Sequence, residues 1–194
     1  MKAIAINGSP RANGNTALML RRVLGQLENA GMETEFIQAG GNTISGCRAC
    51  TACRTQQMKR CVIDNDPVNG WMQKMFEADV ILLGTPSYFS DITSEMKALI
   101  DRAGYVAMGN GRLLARKIGA AVCVHRRGGA VCCFDTLNRF FLINGMIVPG
   151  STYWNYAVAK NPGEAAEDEE ALRNMDDLAA NIAWLAGKIH GGNA

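Results

Sequence analysis

Four cysteines lie together in one short segment of the sequence. Cys47, Cys50 and Cys53 have the spacing C-x-x-C-x-x-C, and Cys61 follows after seven further residues. A compact turn of this spacing directs three sulfurs inward, and a fourth thiolate completes the ligand set of a [4Fe–4S] cubane. The pattern therefore predicts a metal or redox centre at these four residues, with a [4Fe–4S] cluster as the leading candidate.

Two other interpretations of this cysteine cluster stay open. Four thiolates also bind zinc, although structural zinc sites usually use two separated pairs rather than a triple. Free or redox-active thiols are the third interpretation, because a reducing cytosol disfavours a disulfide framework. Three further cysteines are expected to pack inside a strand and a helix: Cys123, Cys132 and Cys133.

A second segment has the composition of a phosphate-binding turn. Residues 7–16 read Asn-Gly-Ser-Pro-Arg-Ala-Asn-Gly-Asn-Thr. Glycines permit a sharp turn, and the free amides of a helix N-terminus bind anions. The segment lacks both Gly-Lys-Ser/Thr and Gly-x-Gly-x-x-Gly, which favours a phosphate monoester over a P-loop or dinucleotide ligand. An ordinary βα turn with a polar cap is the alternative. The candidate phosphate contacts are Ser9, Arg11, Asn13, Asn15 and Thr16.

The elements that position these segments alternate between strand and helix. Apolar runs predict five strands and helical periodicity predicts five helices, which favours a parallel sheet covered on both faces. The predicted strands are 3–7, 33–38, 80–85, 118–125 and 146–148, and the helices are 16–30, 67–78, 94–103, 130–144 and a segment from 164 onward. We therefore predict a flavodoxin-like doubly wound α/β fold with strand order 2-1-3-4-5.

Composition limits the function classes. The chain has 194 residues, 48% of them hydrophobic, and a formal net charge of +2. Its length predicts one domain over 1–194, in which residues 39–66 form a long cysteine-rich insertion. The balanced charge argues against a nucleic-acid or membrane-surface partner. No apolar run reaches the ~20 residues of a membrane span, and no secretory pattern is present, so a cytoplasmic location is expected.

The turn over residues 8–16 resembles the phosphate loop of the NADPH-dependent FMN reductase family. Residues 84–91, which include Thr-Pro-Ser-Tyr-Phe, look like that family's isoalloxazine-binding loop, and residues 125–130 look like its third loop. The resemblance implies that the first loop holds the FMN phosphate. It implies ring contacts from Thr85, Pro86, Ser87, Tyr88 and Phe89, with a rigid turn covering the core as the alternative.

In the third loop, the resemblance assigns the glycine pair Gly128 and Gly129 to close backbone approach to the flavin. Arg126 or Arg127 would stabilise negative charge on a reduced flavin, or else be a solvated surface arginine. His125, which opens the loop, is expected to be a strand-end histidine rather than an acid–base group.

The cysteine pattern resembles the iron–sulfur flavoproteins of anaerobic prokaryotes, a branch of the same family. This resemblance implies an FMN-dependent oxidoreductase whose [4Fe–4S] cluster exchanges electrons with a carrier such as ferredoxin. The alternatives are a cluster-free NAD(P)H-dependent reductase of flavins, quinones or nitro compounds, and a non-catalytic flavin electron carrier or redox sensor. The resemblance also implies a homodimer or homotetramer. Tyr153, Trp154 and Tyr156 are candidates for its interface or for a substrate pocket, with core packing as the alternative.

Overall fold

The protein is described by a computed structural model, which covers residues 1–190. Its centre is a five-stranded sheet in which every paired strand is parallel. The strand order β2-β1-β3-β4-β5 is the flavodoxin-like order, so the predicted fold class is confirmed. The strands are β1 (Lys2–Asn7), β2 (Glu33–Gln38), β3 (Val80–Pro86), β4 (Ile118–His125) and β5 (Tyr156–Val158).

Helices cover both faces of this sheet. They are α1 (Asn15–Asn29), α2 (Ala52–Thr55), α3 (Val68–Glu77), α4 (Ser94–Gly109), α5 (Ala130–Ile143) and α6 (Glu169–His190), with a 3-10 turn at Glu164–Glu167. One hydrophobic cluster packs α1 and α6 on the first face. The other packs α3, α4 and α5 on the second face. Because both faces of β3 are covered, its residues from Val80 to Thr85 are all buried.

The spacing of apolar residues explains why α1 forms where it does. Leu20, Val23, Leu24 and Leu27 recur at the spacing of one helix face, and all four are buried. Each such side chain contributes about 1.5–3 kcal/mol when it is fully buried. That burial draws the helix onto the sheet and places its N-terminus at the carboxyl end of β1.

The fifth strand differs from the prediction. Residues 146–148 are not a strand, because only Ile147 bridges to Ile118. Pro149 follows directly, and its lack of an amide hydrogen prevents continuation of the ladder. The chain leaves the sheet and returns as Tyr156–Val158, which pairs with the last three residues of β4. The prediction of strand 146–148 was therefore wrong by about ten residues.

Two smaller expectations also need correction. Helix α4 continues to Gly109, beyond the predicted end at 103, because Val106 and Ala107 still face the core.

Cys123 and Cys133 are buried as expected, but Cys132 is exposed. It lies one residue before Cys133 on α5, and adjacent helical residues point about 100° apart, so only one of the two faces the sheet.

Candidate functional site

The first loop is held rigid by polar side chains at the end of the first two strands. Asn7 accepts a hydrogen bond from the Ser9 amide at 3.1 Å and donates one to Gln38 at 2.7 Å. Gln38 in turn donates to the carbonyls of Ser9 and Gly40, each at 2.7 Å. The backbone of the loop is thus fixed before any ligand binds.

At the end of this loop, the first backbone amides of α1 have no hydrogen-bond acceptor from a capping side chain. Its N-cap residue, Gly14, is extended and provides no side-chain cap. The first amides of an α-helix have no partner within the helix, so an uncapped start offers donors to an anion. Ser9 and Thr16 are both buried beside these amides, and the Ser9 hydroxyl accepts a hydrogen bond from the Arg11 amide at 3.2 Å.

Eight of the predicted FMN contacts meet in one cleft at the carboxyl edge of the sheet. The cleft has a volume of about 190 Å³. It is lined from the first loop by Ser9, Arg11, Asn15 and Thr16, from the second by Pro86, Ser87 and Tyr88, and from the third by Arg126. Residues that are far apart in the chain therefore converge because β1, β3 and β4 end side by side.

The other predicted FMN contacts lie outside the lining of this cleft. Thr85 is buried and its hydroxyl donates to the Pro86 carbonyl at 2.9 Å. Phe89 is 107% exposed, at the tip of a two-residue turn closed by the Tyr88 and Asp91 backbones. The remaining members that do not line the cleft are Asn13, Arg127, Gly128 and Gly129.

The side chain of Asn15 lines the cleft but is occupied by the protein backbone. It donates to the Asn161 carbonyl at 2.8 Å and accepts from the Gly163 amide at 2.8 Å. These bonds join the start of α1 to the segment that precedes α6. The backbone amide of Asn15, at the first position of the helix, is the group of this residue that stays available to a ligand.

The cleft also contains residues that the sequence did not single out as ligand contacts. His125 and Lys160 line it together with Val124 and Ala159. Burial lowers the pKa of His125, an effect that the charge of Asp168 partly opposes. Its Nδ1 atom is buried without a hydrogen-bond partner among the described residues. The position of His125 at the end of a buried strand could have indicated a place in the cleft. Lys160 lies in an exposed loop, where no sequence motif indicates such a place.

The second and third loops approach each other at Gly129. This residue has φ of +87°, and a Cβ atom there would lie 2.4 Å from Ser87 Oγ and 2.9 Å from Ser90 Cα. Only glycine satisfies both the left-handed backbone and the close contact.

We therefore expect Gly129→Ala to lower the free energy of unfolding by about 1–2 kcal/mol and to weaken FMN binding. Gly128→Ala is the matched control, because no atom lies within 4 Å of a Cβ built there. Chemical denaturation and flavin fluorescence titration measure the two effects. Equal behaviour of the two variants would contradict this role of Gly129.

The four clustered cysteines line a second, small pocket on the face of the sheet that α3, α4 and α5 cover. Cys47 and Cys50 are exposed, whereas Cys53 and Cys61 are buried. Burial raises the pKa of the Cys53 thiol, and the charges of Cys61, Cys47 and Cys50 raise it further. The donors along this pocket are thiols with no imidazole or carboxylate among the lining residues, and such a set suits an iron–sulfur cluster. Within residues 1–190, no three His, Cys, Asp or Glu side chains are grouped to hold a single metal ion.

Two asparagines fix the buried cysteines in place. Asn110 donates to the Cys53 carbonyl at 3.0 Å. Asn69 accepts from the Cys61 amide at 2.8 Å and donates to the Cys61 carbonyl at 3.0 Å. Asn69 lies on α3 and Asn110 directly follows the last residue of α4, so these two helices determine the position of the cysteine segment.

The backbone between the first cysteines is strained. Ala49 and Thr51 have φ of 51° and 61°, a left-handed conformation that costs non-glycine residues about 1–3 kcal/mol. The Ala49 amide donates to Cys47 Sγ at 3.4 Å. The strained turn thereby directs an N–H group to a cysteine sulfur.

A buried ion pair ties this segment to α4. Arg102 Nη1 donates to Asp66 Oδ2 at 2.5 Å, and the two side chains are 0% and 3% exposed. Burial opposes ionisation of Asp66, but hydrogen bonds from Arg102 and from the Ser45 and Val68 amides outweigh it and lower the pKa of the carboxyl group. Removing one partner leaves the other charge buried without compensation.

We expect Asp66→Asn to lower the free energy of unfolding by about 2 kcal/mol at pH 7, since Asn keeps an acceptor but not the charge. Because the pKa of Asp66 is lower in the folded state than its ordinary value of 3.8, its ionisation stabilises the folded protein above that pH. The stabilisation is lost as the pH falls through the lowered pKa of the folded state. The difference between wild type and variant should therefore shrink below about pH 4. Urea unfolding from pH 7 to pH 3 tests this, and a constant difference would contradict it.

The 2-1-3-4-5 sheet, with a cleft formed by three loops at its carboxyl edge, defines a flavodoxin-like protein. The model of the NADPH-dependent FMN reductase family matches residues 1–161. The chain belongs to this family, and it is an FMN-binding flavoprotein of the oxidoreductase class.

Individual relatives match nearly the whole length of the chain. The chain is 36% identical to an iron–sulfur flavoprotein of Methanocaldococcus jannaschii, over 97% of this chain and 100% of that protein. It is 37% identical to an iron–sulfur flavoprotein of Archaeoglobus fulgidus, over 96% of each chain. The fold is similar to that of RosB with a bound 8-demethyl-8-formylriboflavin-5'-phosphate intermediate, with a TM-score of 0.79 and 19% identity over 99% of this chain and 81% of that one.

Proposed function

We propose that this protein is an FMN-dependent electron-transfer oxidoreductase in which Cys47, Cys50, Cys53 and Cys61 hold a [4Fe–4S] cluster. The observation that carries the proposal is that these four thiols, spread over fifteen residues of sequence, line one pocket. When bound, FMN supplies two-electron and one-electron chemistry and the cluster supplies one-electron chemistry. The protein's residues bind these groups, orient them and limit their access to water.

At the flavin site, the first loop binds the phosphate. The amides at the start of α1, together with Ser9, Thr16 and Arg11, donate to the phosphate oxygens. Pro86, Ser87 and Tyr88 form the platform for the isoalloxazine ring. Arg126 also lines the cleft, and its positive charge stabilises negative charge on the ring.

The remaining candidate contacts act indirectly in this proposal. Thr85 accepts a hydrogen bond from the Thr93 amide at 3.2 Å and so shapes the second loop. Asn13 lies at the exposed rim of the first loop, and Arg127 and Gly128 lie at the exposed rim of the third. Gly129 permits the close approach of the third loop to the second loop. Phe89 lies at the exposed tip of the second loop, outside the cleft.

We further propose a homodimer or homotetramer in the cytoplasm, with an electron-carrier protein such as ferredoxin as the redox partner. The support for oligomers is an exposed aromatic rim beside the sheet edge, where Tyr153 and Trp154 are 61% and 54% exposed. Exposed aromatic side chains are enriched at protein interfaces. No helix within the described residues is long and apolar enough to cross a membrane.

Anaerobic purification followed by iron, zinc, sulfide and flavin analysis tests the main proposal. The expected result is about four iron and four sulfide per FMN, from the composition of the cluster. Protein that contains FMN but no iron would overturn the cluster assignment. Zinc in place of iron would replace it with a structural metal site.

A cluster-free NAD(P)H-dependent reductase is the second candidate function, and the description of the family itself favours it. Mixing the anaerobic protein with NADH and with NADPH in a stopped-flow spectrometer separates the candidates. Rapid bleaching of the flavin by either nucleotide supports the second function. Its absence with both nucleotides, together with reduction by a protein carrier, supports the first.

A further inference from the structure

Arg102 is a buried arginine that shares the pocket of the four cysteines. It lies on α4, is 1% exposed, and lines the pocket together with Cys47, Cys50, Cys53 and Cys61. A buried cation requires compensation, because removal of a charge from water is costly.

The two terminal nitrogens of Arg102 both donate hydrogen bonds to other residues of the protein. Nη1 donates to Asp66 at 2.5 Å and to the Ser45 carbonyl at 3.2 Å. Nη2 donates to the Ile63 carbonyl at 2.7 Å. These bonds fix the guanidinium plane against the cysteine segment and leave it little freedom to rotate.

The third nitrogen, Nε, is buried without a hydrogen-bond partner among the described residues. A buried donor without a hydrogen bond is destabilising, and such donors are rare in native proteins. Sulfur atoms of the four cysteines are acceptors in the pocket that Arg102 lines. None of these sulfurs accepts from Nε in this structure, and a sulfide of a cluster bound in the pocket would supply the missing acceptor.

We propose that Arg102 Nε donates a hydrogen bond to a sulfur atom of the [4Fe–4S] cluster or of a cysteine that binds it. This inference rests on the proposed function. Hydrogen bonds to cluster sulfurs and nearby positive charge stabilise the more negative, reduced state and so raise the reduction potential. Asp66 acts as a positioning residue, because it holds the guanidinium in this orientation.

Pulsed EPR on anaerobically purified full-length protein tests the contact directly. The protein is labelled with ¹⁵N at the arginine Nε position, its cluster is reduced, and the ¹⁵N hyperfine coupling to the cluster is recorded. We expect a coupling in the wild type that disappears in Arg102→Lys. It should persist in Arg48→Lys, the matched control, because Arg48 lines the same pocket but is exposed.

A redox titration of the same proteins provides the second readout. Lysine retains the positive charge of Arg102 but has no Nε donor, so Arg102→Lys should lower the cluster reduction potential while Arg48→Lys leaves it unchanged. A purely structural role for Arg102 predicts no ¹⁵N coupling in the wild type.

The outcomes separate this inference from the proposed function. Protein without iron and sulfide overturns both. Protein with an intact cluster but no ¹⁵N coupling overturns the hydrogen bond alone. If Arg102→Lys does not fold, labelled Arg48→Lys decides the question, since a retained coupling supports Arg102 as the donor and a lost coupling overturns it.

Discussion

Cys50→Ser should purify anaerobically with FMN but with less than about a tenth of the wild-type iron and sulfide, because the cluster requires four thiolate ligands. A serine hydroxyl stays protonated at neutral pH and is a poor ligand for iron in a cluster. Cys50 is exposed, so its replacement leaves the hydrophobic core intact. Visible absorption from the cluster should vanish while the flavin bands persist.

The matched control for this variant is Cys132→Ser. Cys132 is also an exposed free cysteine, but it lies on α5, outside the pocket of the cysteine cluster. It should retain iron, sulfide and flavin at wild-type ratios. Full iron content in Cys50→Ser would contradict the assignment of this thiol as a ligand, and equal loss in both variants would point to general damage by serine substitution.

Arg11→Glu should weaken FMN binding about 100-fold, or about 2.8 kcal/mol, while riboflavin binding changes little. Arg11 is exposed at the rim of the cleft, so the variant is expected to fold. Charge reversal replaces an attraction to the phosphate with a repulsion, and hydrogen bonds to charged groups contribute about 1.5–3 kcal/mol. Fluorescence titration of the flavin-free protein with both flavins measures the difference.

The two flavins form an internal control, because they differ only in the phosphate. Lys188→Glu is the control for net charge, since Lys188 is exposed on α6 and does not line the cleft. It should bind FMN as the wild type does. Equal weakening of FMN and riboflavin binding in Arg11→Glu would place Arg11 away from the phosphate.

Local sequence was sufficient for the elements with strong patterns. The unbroken apolar run of β3 predicted a buried strand, and the heptad-like spacing of Leu20 and Leu27 predicted α1. Both follow from short-range periodicity, which reports directly which side of an element is covered. The turn before α1 was also visible, because Ser9 and Thr16 are close in sequence to the start of that helix.

The partners that hold the site were not visible, because they are distant in the chain. Arg102 contacts Ser45 and Ile63 across 57 and 39 residues. Asn110 reaches the Cys53 carbonyl across 57 residues. Nothing in a helical pattern tells which buried polar residue will meet which loop, since that depends on how the helices pack against the sheet.

The sequence by itself determined the strand–helix alternation, the composition of the three loops and the cysteine spacing, since each depends on neighbouring residues. The tertiary structure alone decided which loop residues share the cleft, how the cysteine segment is anchored, and where the fifth strand lies. Residues 146–148 are as apolar as a strand, yet Tyr156–Val158 completes the sheet. The physical reason is that an edge strand forms where a segment can continue its hydrogen bonds along the neighbouring strand. Pro149 ends that pairing for residues 146–148.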